Sequence, residues 1–152
     1  MGLSRTTKRV LRLHPIGVAL IYLVLDVVCA GLGMGVPLIC IVLGFPTGIY
    51  LTHRALLAVP GTRAAMRRTL ILCAAASLVT VLVMLAIWGY AQLPMLFNRG
   101  ADFAHFGIPF ILYDPRASFV GWLVLMVFIS PFLQLLMALF GSYVALLTIA
   151  GD

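Results

Sequence analysis

The chain has 152 residues, of which 64% are hydrophobic and only 9% charged, far below the roughly 25% charged residues of an ordinary soluble domain. Ten basic residues stand against four acids, Asp26, Asp102, Asp114 and Asp152, for a net charge of +6. These values exclude a soluble globular domain and predict an all-α integral membrane protein, one domain over residues 1–152, with the lipid bilayer as its first partner. The basic excess does not call for nucleic acid, because the arginines and lysine flank apolar segments, where they set orientation.

Met1 to Pro15 carries Arg5, Lys8, Arg9 and Arg12 and no acid. A basic stretch before an apolar run resembles a signal peptide, and Val28-Cys29-Ala30 offers a cleavage site. Asp26 within the run and a second apolar arm behind it argue against removal. The start Met1-Gly2-Leu3-Ser4-Arg5-Thr6 also fits the loose myristoylation pattern. That reading and an organellar targeting signal rank below a plain cytoplasmic tail.

The stretch from Ile16 to Leu51 is almost wholly apolar and too long for one crossing, which needs about 20 residues. Gly31, Gly33, Gly35 and Pro37 divide it, so two transmembrane helices are expected, at about 16–30 and 36–52. A re-entrant hairpin is the alternative. On the first helix Ala19, Tyr22, Asp26, Cys29 and Ala30 share one face by their spacing, and Ile21, Val24 and Val28 lie opposite, toward lipid. On the second, Cys40, Gly44 and Gly48 form a small-residue stripe suited to helix packing. The three cysteines, Cys29, Cys40 and Cys73, lie inside apolar segments without a CxxC or ligand spacing, and read as small packing residues.

His53 and Arg54 close the second arm. Pro60-Gly61 signals a turn, and Arg63, Arg67 and Arg68 precede a third helix at about 69–91 that ends on Trp88 and Tyr90, an interfacial aromatic pair. The arginine cluster reads as an ordinary topology signal, with contact to anionic headgroups as the lesser reading. Gln92 to Arg116 is the one long connection. Its many aromatic and apolar residues, Phe97, Phe103, Phe106 and Phe110 among them, predict an outer loop that lies in the headgroup layer or folds over the bundle mouth. Asp114-Pro115 reads as an N-cap with proline at the first helical position, opening a fourth helix at about 115–149. Its apolar part, Phe119 to Ile149, rises about 46 Å, more than one crossing of a roughly 30 Å core requires, so tilt or a kink at Pro131 is expected.

Eight of the ten basic residues fall in the N-terminal tail and the Arg54 to Arg68 connection. With four crossings the positive-inside rule then places both termini in the cytoplasm. The expected location is the plasma membrane, and the preference for arginine over lysine suggests a bacterial inner membrane.

Small and polar residues mark the helix faces that pack. Thr47, Ser77, Thr80, Ser130 and Gln134 form an expected polar layer near the bilayer midplane, beside Pro46 and Pro131. Such a layer suits a solute site. The plainer expectation is that the hydroxyls bond their own helices. Asp26 is the one acid within a span and requires a partner, a proton or water. Counted along its own helix it lies about 8 Å below the outer end. The first expectation is therefore a tether to Arg99, His105 or Arg116 of the outer loop. A proton or cation relay is the second and snorkelling the third.

No P-loop, GxSxG, HExxH or paired-carboxylate motif is present, and no cofactor or metal is implied. His14, His53 and His105 do not cluster by spacing. Three function classes remain. The preferred one is a structural or accessory subunit acting through helix packing, within a homo-oligomer or a larger membrane complex. The others are a small oligomeric transporter or channel using the midplane layer, and a membrane enzyme on a lipid-like substrate with Asp26 and His105 at the outer surface.

Overall fold

The structure is a computed structural model and describes residues 14–32, 38–98, 100–103 and 113–150. The described residues are helical, with short turns and no strand. Helix α1 spans Pro15–Leu32, α2 Leu38–Ala58 and α3 Thr62–Met84. A widened π turn at Leu85–Gly89 leads into α4 at Tyr90–Phe97. Then α5, Pro115–Val124, passes through a second π turn, Leu125–Ile129, into α6, Ser130–Ala150. Three helical stretches, Leu38–Ala58, Thr62–Gly89 and Pro115–Ile149, are long and apolar enough to cross a membrane, and the apolar helix Pro15–Gly31 is shorter.

Local chemistry explains the ends. Pro15 opens α1, where a missing N–H costs nothing, and the His14 carbonyl accepts from the Val18 amide at 3.1 Å. Gly61 separates α2 from α3 with φ 101°, a conformation that favours glycine. The Asp114 side chain caps α5 by accepting from the Arg116 amide at 3.0 Å, with Pro115 next to it.

Two helices outrun their expected ends. α2 continues through His53 and Arg54 to Ala58, and α3 begins at Thr62 rather than 69. The basic residues mark where the apolar span stops, not where the backbone hydrogen bonding stops. Alanine, leucine, methionine and arginine, which make up both extensions apart from His53 and Thr62, are strong helix formers. At the other end the same path continues beyond 91 to Phe97.

A π turn, Leu125–Ile129, stands just before Pro131, where the sequence predicts a kink. A proline removes the donor to the carbonyl four residues back and crowds it, and a widened turn relieves that crowding. The Ser130 hydroxyl donates to the Leu125 carbonyl at 3.0 Å, which also accepts from the Ser130 backbone amide.

Paired contacts give the helix directions. Tyr22 meets Ala76 and Thr80, and Ala30 meets Trp88, so α1 runs parallel to α3. Gly44 faces Gln134 and Gly48 faces Ala138, so α2 runs parallel to α6. Ser77 meets Pro131 and Cys73 meets Ser142, so α3 opposes α6. The four helices thus alternate in direction. The closest pair is α2 with α6. A Cβ added at Gly44 or Gly48 would overlap the carbonyl oxygens of Gln134 and Ala138, and one at Gly141 that of Phe45. This is backbone-to-backbone packing of the kind that small residues permit in lipid, where hydrophobicity alone does not draw helices together.

Asp26, Ala30 and half-buried Tyr22 face the bundle, whereas Ala19, expected on that face, is exposed and half-buried Val18 takes its place. The position is one turn from Tyr22 either way, and the helix rotation favours Val18. Ile21, Val24 and Val28 are exposed, as are large apolar side chains on the other helices, a surface suited to lipid rather than water. Near the C-terminal end of α1 and the N-terminal end of α2, Ala30, Cys40, Met84 and Val127 form a buried cluster with Trp88 packed against it.

Candidate functional site

Asp26 is fully buried, at 0% exposure. α1 presents it one helical turn after Tyr22, so both side chains point the same way. α3 brings Ala76, Ser77 and Thr80 to this place, and α6 brings Gln134. The Tyr22 hydroxyl is the hub. It lies 2.8 Å from the Thr80 hydroxyl and 3.2 Å from the Ala76 carbonyl, and it accepts from Gln134 Nε2 at 2.8 Å. Three helices are therefore joined through one phenol.

The carboxyl group of Asp26 stands beside this network without a hydrogen bond. Neither of its oxygens has a partner, and neither does Gln134 Oε1. Thr80 and Gln134 are the polar side chains close enough to act on it, and Tyr22 and Cys40 are the titratable groups that face it, with Cys29 beside Cys40. The Thr80 hydroxyl points to the Ala76 carbonyl at 3.4 Å and Gln134 Nε2 donates to Tyr22, so the Thr80 donor is engaged and one amide N–H of Gln134 remains. No cation among the described residues pairs with the acid.

What this arrangement does chemically follows from counting donors and acceptors. An ionised carboxylate here would be a buried, unpaired charge, which costs several kcal/mol. One proton on Asp26 removes the charge and creates the missing donor. The Gln134 amide has two orientations of equal shape, since its oxygen and nitrogen are interchangeable in outline. With nitrogen inward it donates to Tyr22, and with oxygen inward it accepts from a protonated Asp26 or from Tyr22. In the orientation observed, the Asp26 oxygens and Gln134 Oε1 are left without partners, and a flip of the amide would offer an acceptor to a protonated Asp26. Next to it lies a void of about 10 Å³, lined by Tyr22, Thr47, Cys73, Ser77 and Gln134 among others, at the lower limit for one water molecule.

The expected polar layer divides in two. Ser77 donates across the interface to the Pro131 carbonyl at 2.8 Å, and Thr80 and Gln134 join Tyr22 beside Asp26. Thr47 bonds its own helix at the Leu43 carbonyl, 2.8 Å away, and Ser130 bonds its own at Leu125.

The structure does not bring Asp26 and Arg116 together. At the level of Gln134 the long helix still has eighteen residues to run to Arg116, about 27 Å, beyond any arginine side chain. Arg116 instead donates to the Leu96 carbonyl and lies over the Phe103 ring, 5.9 Å from its centroid. Arg99 and His105 lie outside the described residues. Asp26 belongs with Ser77, Thr80 and Gln134. Thr80 is twelve residues, about 18 Å, from Arg68 along the helix.

A second feature closes the end of the bundle away from Arg63, Arg67 and Arg68. Trp88 Nε1 donates to the Ala30 carbonyl at 2.9 Å, taking one of the acceptors that every helix C-terminus leaves open. Its ring meets Trp122 edge to face at 5.1 Å, Trp122 lies 6.3 Å from Phe119, and Phe119 lies 5.2 Å from Phe103. Trp88 is thus a tertiary contact rather than the interfacial anchor its position suggests, while Tyr90 is 84% exposed. Phe103 covers the mouth at this point. The rest of the aromatic loop, 104–112, lies outside the described residues. The signal for the Tyr22 hub was present in the sequence as a phenol one turn before the single intramembrane acid. Nothing in the sequence marked Trp88 as a helix cap.

No protein-family model matches the chain, and no curated protein or solved structure shows significant similarity to it.

Proposed function

We propose that the chain is a multi-pass plasma-membrane protein with four crossings and both termini in the cytoplasm, and that it is a small transporter or channel in which Asp26 takes up and releases a proton. The observation that carries this reading is the buried carboxyl group with no donor on either oxygen. Ionisable residues inside a membrane bundle are costly and mark ion or proton pathways by default. Asp26 is enclosed by its own chain, which argues against its serving as an assembly acid that pairs with a cation on a partner. The Gln134 amide beside it supplies what the loaded group needs, because a flip of that amide turns an acceptor toward a protonated Asp26.

Infrared spectroscopy of the reconstituted protein tests the proposal. With only four acids in the chain, a protonated carboxyl band is readily assigned. The expected result is a protonated band at neutral pH that is absent from Asp26→Asn, together with proton flux in proteoliposomes that falls in the same variant. A carboxylate band at all pH values, or flux equal in both proteins, sinks the reading. The latter result would return the protein to the class of packing subunits.

A further inference from the structure

At the arginine-bearing end of the bundle, α2, α3 and α6 enclose a half-open groove of about 370 Å³. We propose that this groove holds one acyl chain of an anionic phospholipid, with the headgroup phosphate on Arg67.

The walls are Leu56 from α2, Met66 and Leu70 from α3, and Leu139, Tyr143 and Leu146 from α6. Hydroxyl side chains lie deeper, but each is already engaged. Thr52 donates to the Gly48 carbonyl at 2.8 Å, Thr69 to Ala65 at 3.0 Å, and Ser142 to Ala138 at 2.8 Å. Their donors bond carbonyls that already belong to helices, so the groove offers an occupant almost no polar atom and disfavours water. Its size excludes a helix from a second copy, which is about 10 Å across with side chains, whereas a flexible hydrocarbon chain fits it.

Charge selects the headgroup. Arg67 lines the groove and is exposed, and it makes no hydrogen bond or ion pair with a described residue. Arg63 precedes it by one turn, on the same side of α3, and Arg68 follows it; both are exposed. From His53 to Arg68 the sequence contains no acid. Basic pockets between transmembrane helices at a membrane surface bind anionic headgroups, and here the basic residues stand at the open end of an apolar groove. The arginine cluster, which by sequence reads as a topology signal, thereby acquires a binding role that does not depend on Asp26.

The test is native mass spectrometry of the full chain in mild detergent, given equal amounts of phosphatidylglycerol and phosphatidylcholine with matched acyl chains. One phosphatidylglycerol is expected to be retained in preference. Arg67→Gln should lower that preference about fivefold, the equivalent of ~1 kcal/mol for one surface cation. Leu70→Trp, at an exposed position on the groove wall, should reduce retention of both lipids without disturbing buried contacts. Equal retention of the two lipids, or an unchanged preference in Arg67→Gln, overturns the headgroup assignment. Full retention by Leu70→Trp overturns the groove assignment. A dimer that forms in place of the lipid complex assigns the groove to a second copy and overturns the proposal.

Discussion

Replacing Gly48 with alanine adds one methyl group where α2 and α6 touch through their backbones. An added Cβ would overlap the Ala138 carbonyl oxygen and stand 2.7 Å from the carbonyl carbon and 2.9 Å from the Cα. No side chain is available to move aside, so one helix must shift. Overpacking of this kind costs about 1–3 kcal/mol. The shift also stretches the bond from the Ser142 hydroxyl to the Gly48 carbonyl, 3.3 Å in length, and interhelical bonds of this type are worth about 0.6 kcal/mol in membrane bundles. Opposing this, alanine is favoured over glycine in a helix by about 0.5–1 kcal/mol. The expected net loss is about 1–2 kcal/mol. Gly121→Ala supplies the control, because a Cβ there meets nothing within 4 Å and only the favourable helix term remains. Reversible unfolding in mixed micelles, followed by far-ultraviolet circular dichroism, should therefore separate the two variants by about 2–3 kcal/mol. If Gly48→Ala is as stable as Gly121→Ala, the close approach of α2 and α6 is not where the bundle is held, and the packing argument fails.

The hydrogen-bond hub gives a second contrast. Tyr22→Phe removes the group shared by Ala76, Thr80 and Gln134 and should cost about 1–2 kcal/mol, the upper range for polar contacts within membrane bundles. Thr47→Val, which removes only a bond to its own helix, should change stability by less than about 0.5 kcal/mol. Equal losses in the same micelle titration would contradict the hub. The thiols provide a test of burial: Cys40 and Cys73 are each 1% exposed and Cys29 is half-buried. Maleimide should label Cys29 first in mild detergent and reach the other two only after denaturation, and prompt labelling of Cys73 would refute the packing of α3 on α6.

The helical class, the breaks between helices and the small-residue faces are legible in the sequence because each has a local cause. Apolar composition dictates hydrogen bonding within the segment. Pro60-Gly61 and Asp114-Pro115 impose turns and caps through their own backbones. Glycines in lipid-embedded helices invite close approach. The helix ends near the arginines were less legible, since polarity and helix propensity change at different residues. Trp88 illustrates a deeper limit. Its partner, the Ala30 carbonyl, is 58 residues away in sequence, and nothing in either neighbourhood signals the other.

Asp26 draws the line between the two sources of information. The sequence by itself determined that an acid stands on an otherwise apolar helix and that it needs a proton, a partner or water, because the cost of burying charge is independent of the fold. It also determined which face the acid shares with Tyr22, because helix periodicity is fixed. The company the acid keeps was decided only by tertiary structure. Its neighbours depend on the register of α3 and α6 against α1. Register is set by packing between distant segments, above all by the glycines that let α2 settle onto α6, and no local pattern encodes the resulting offset.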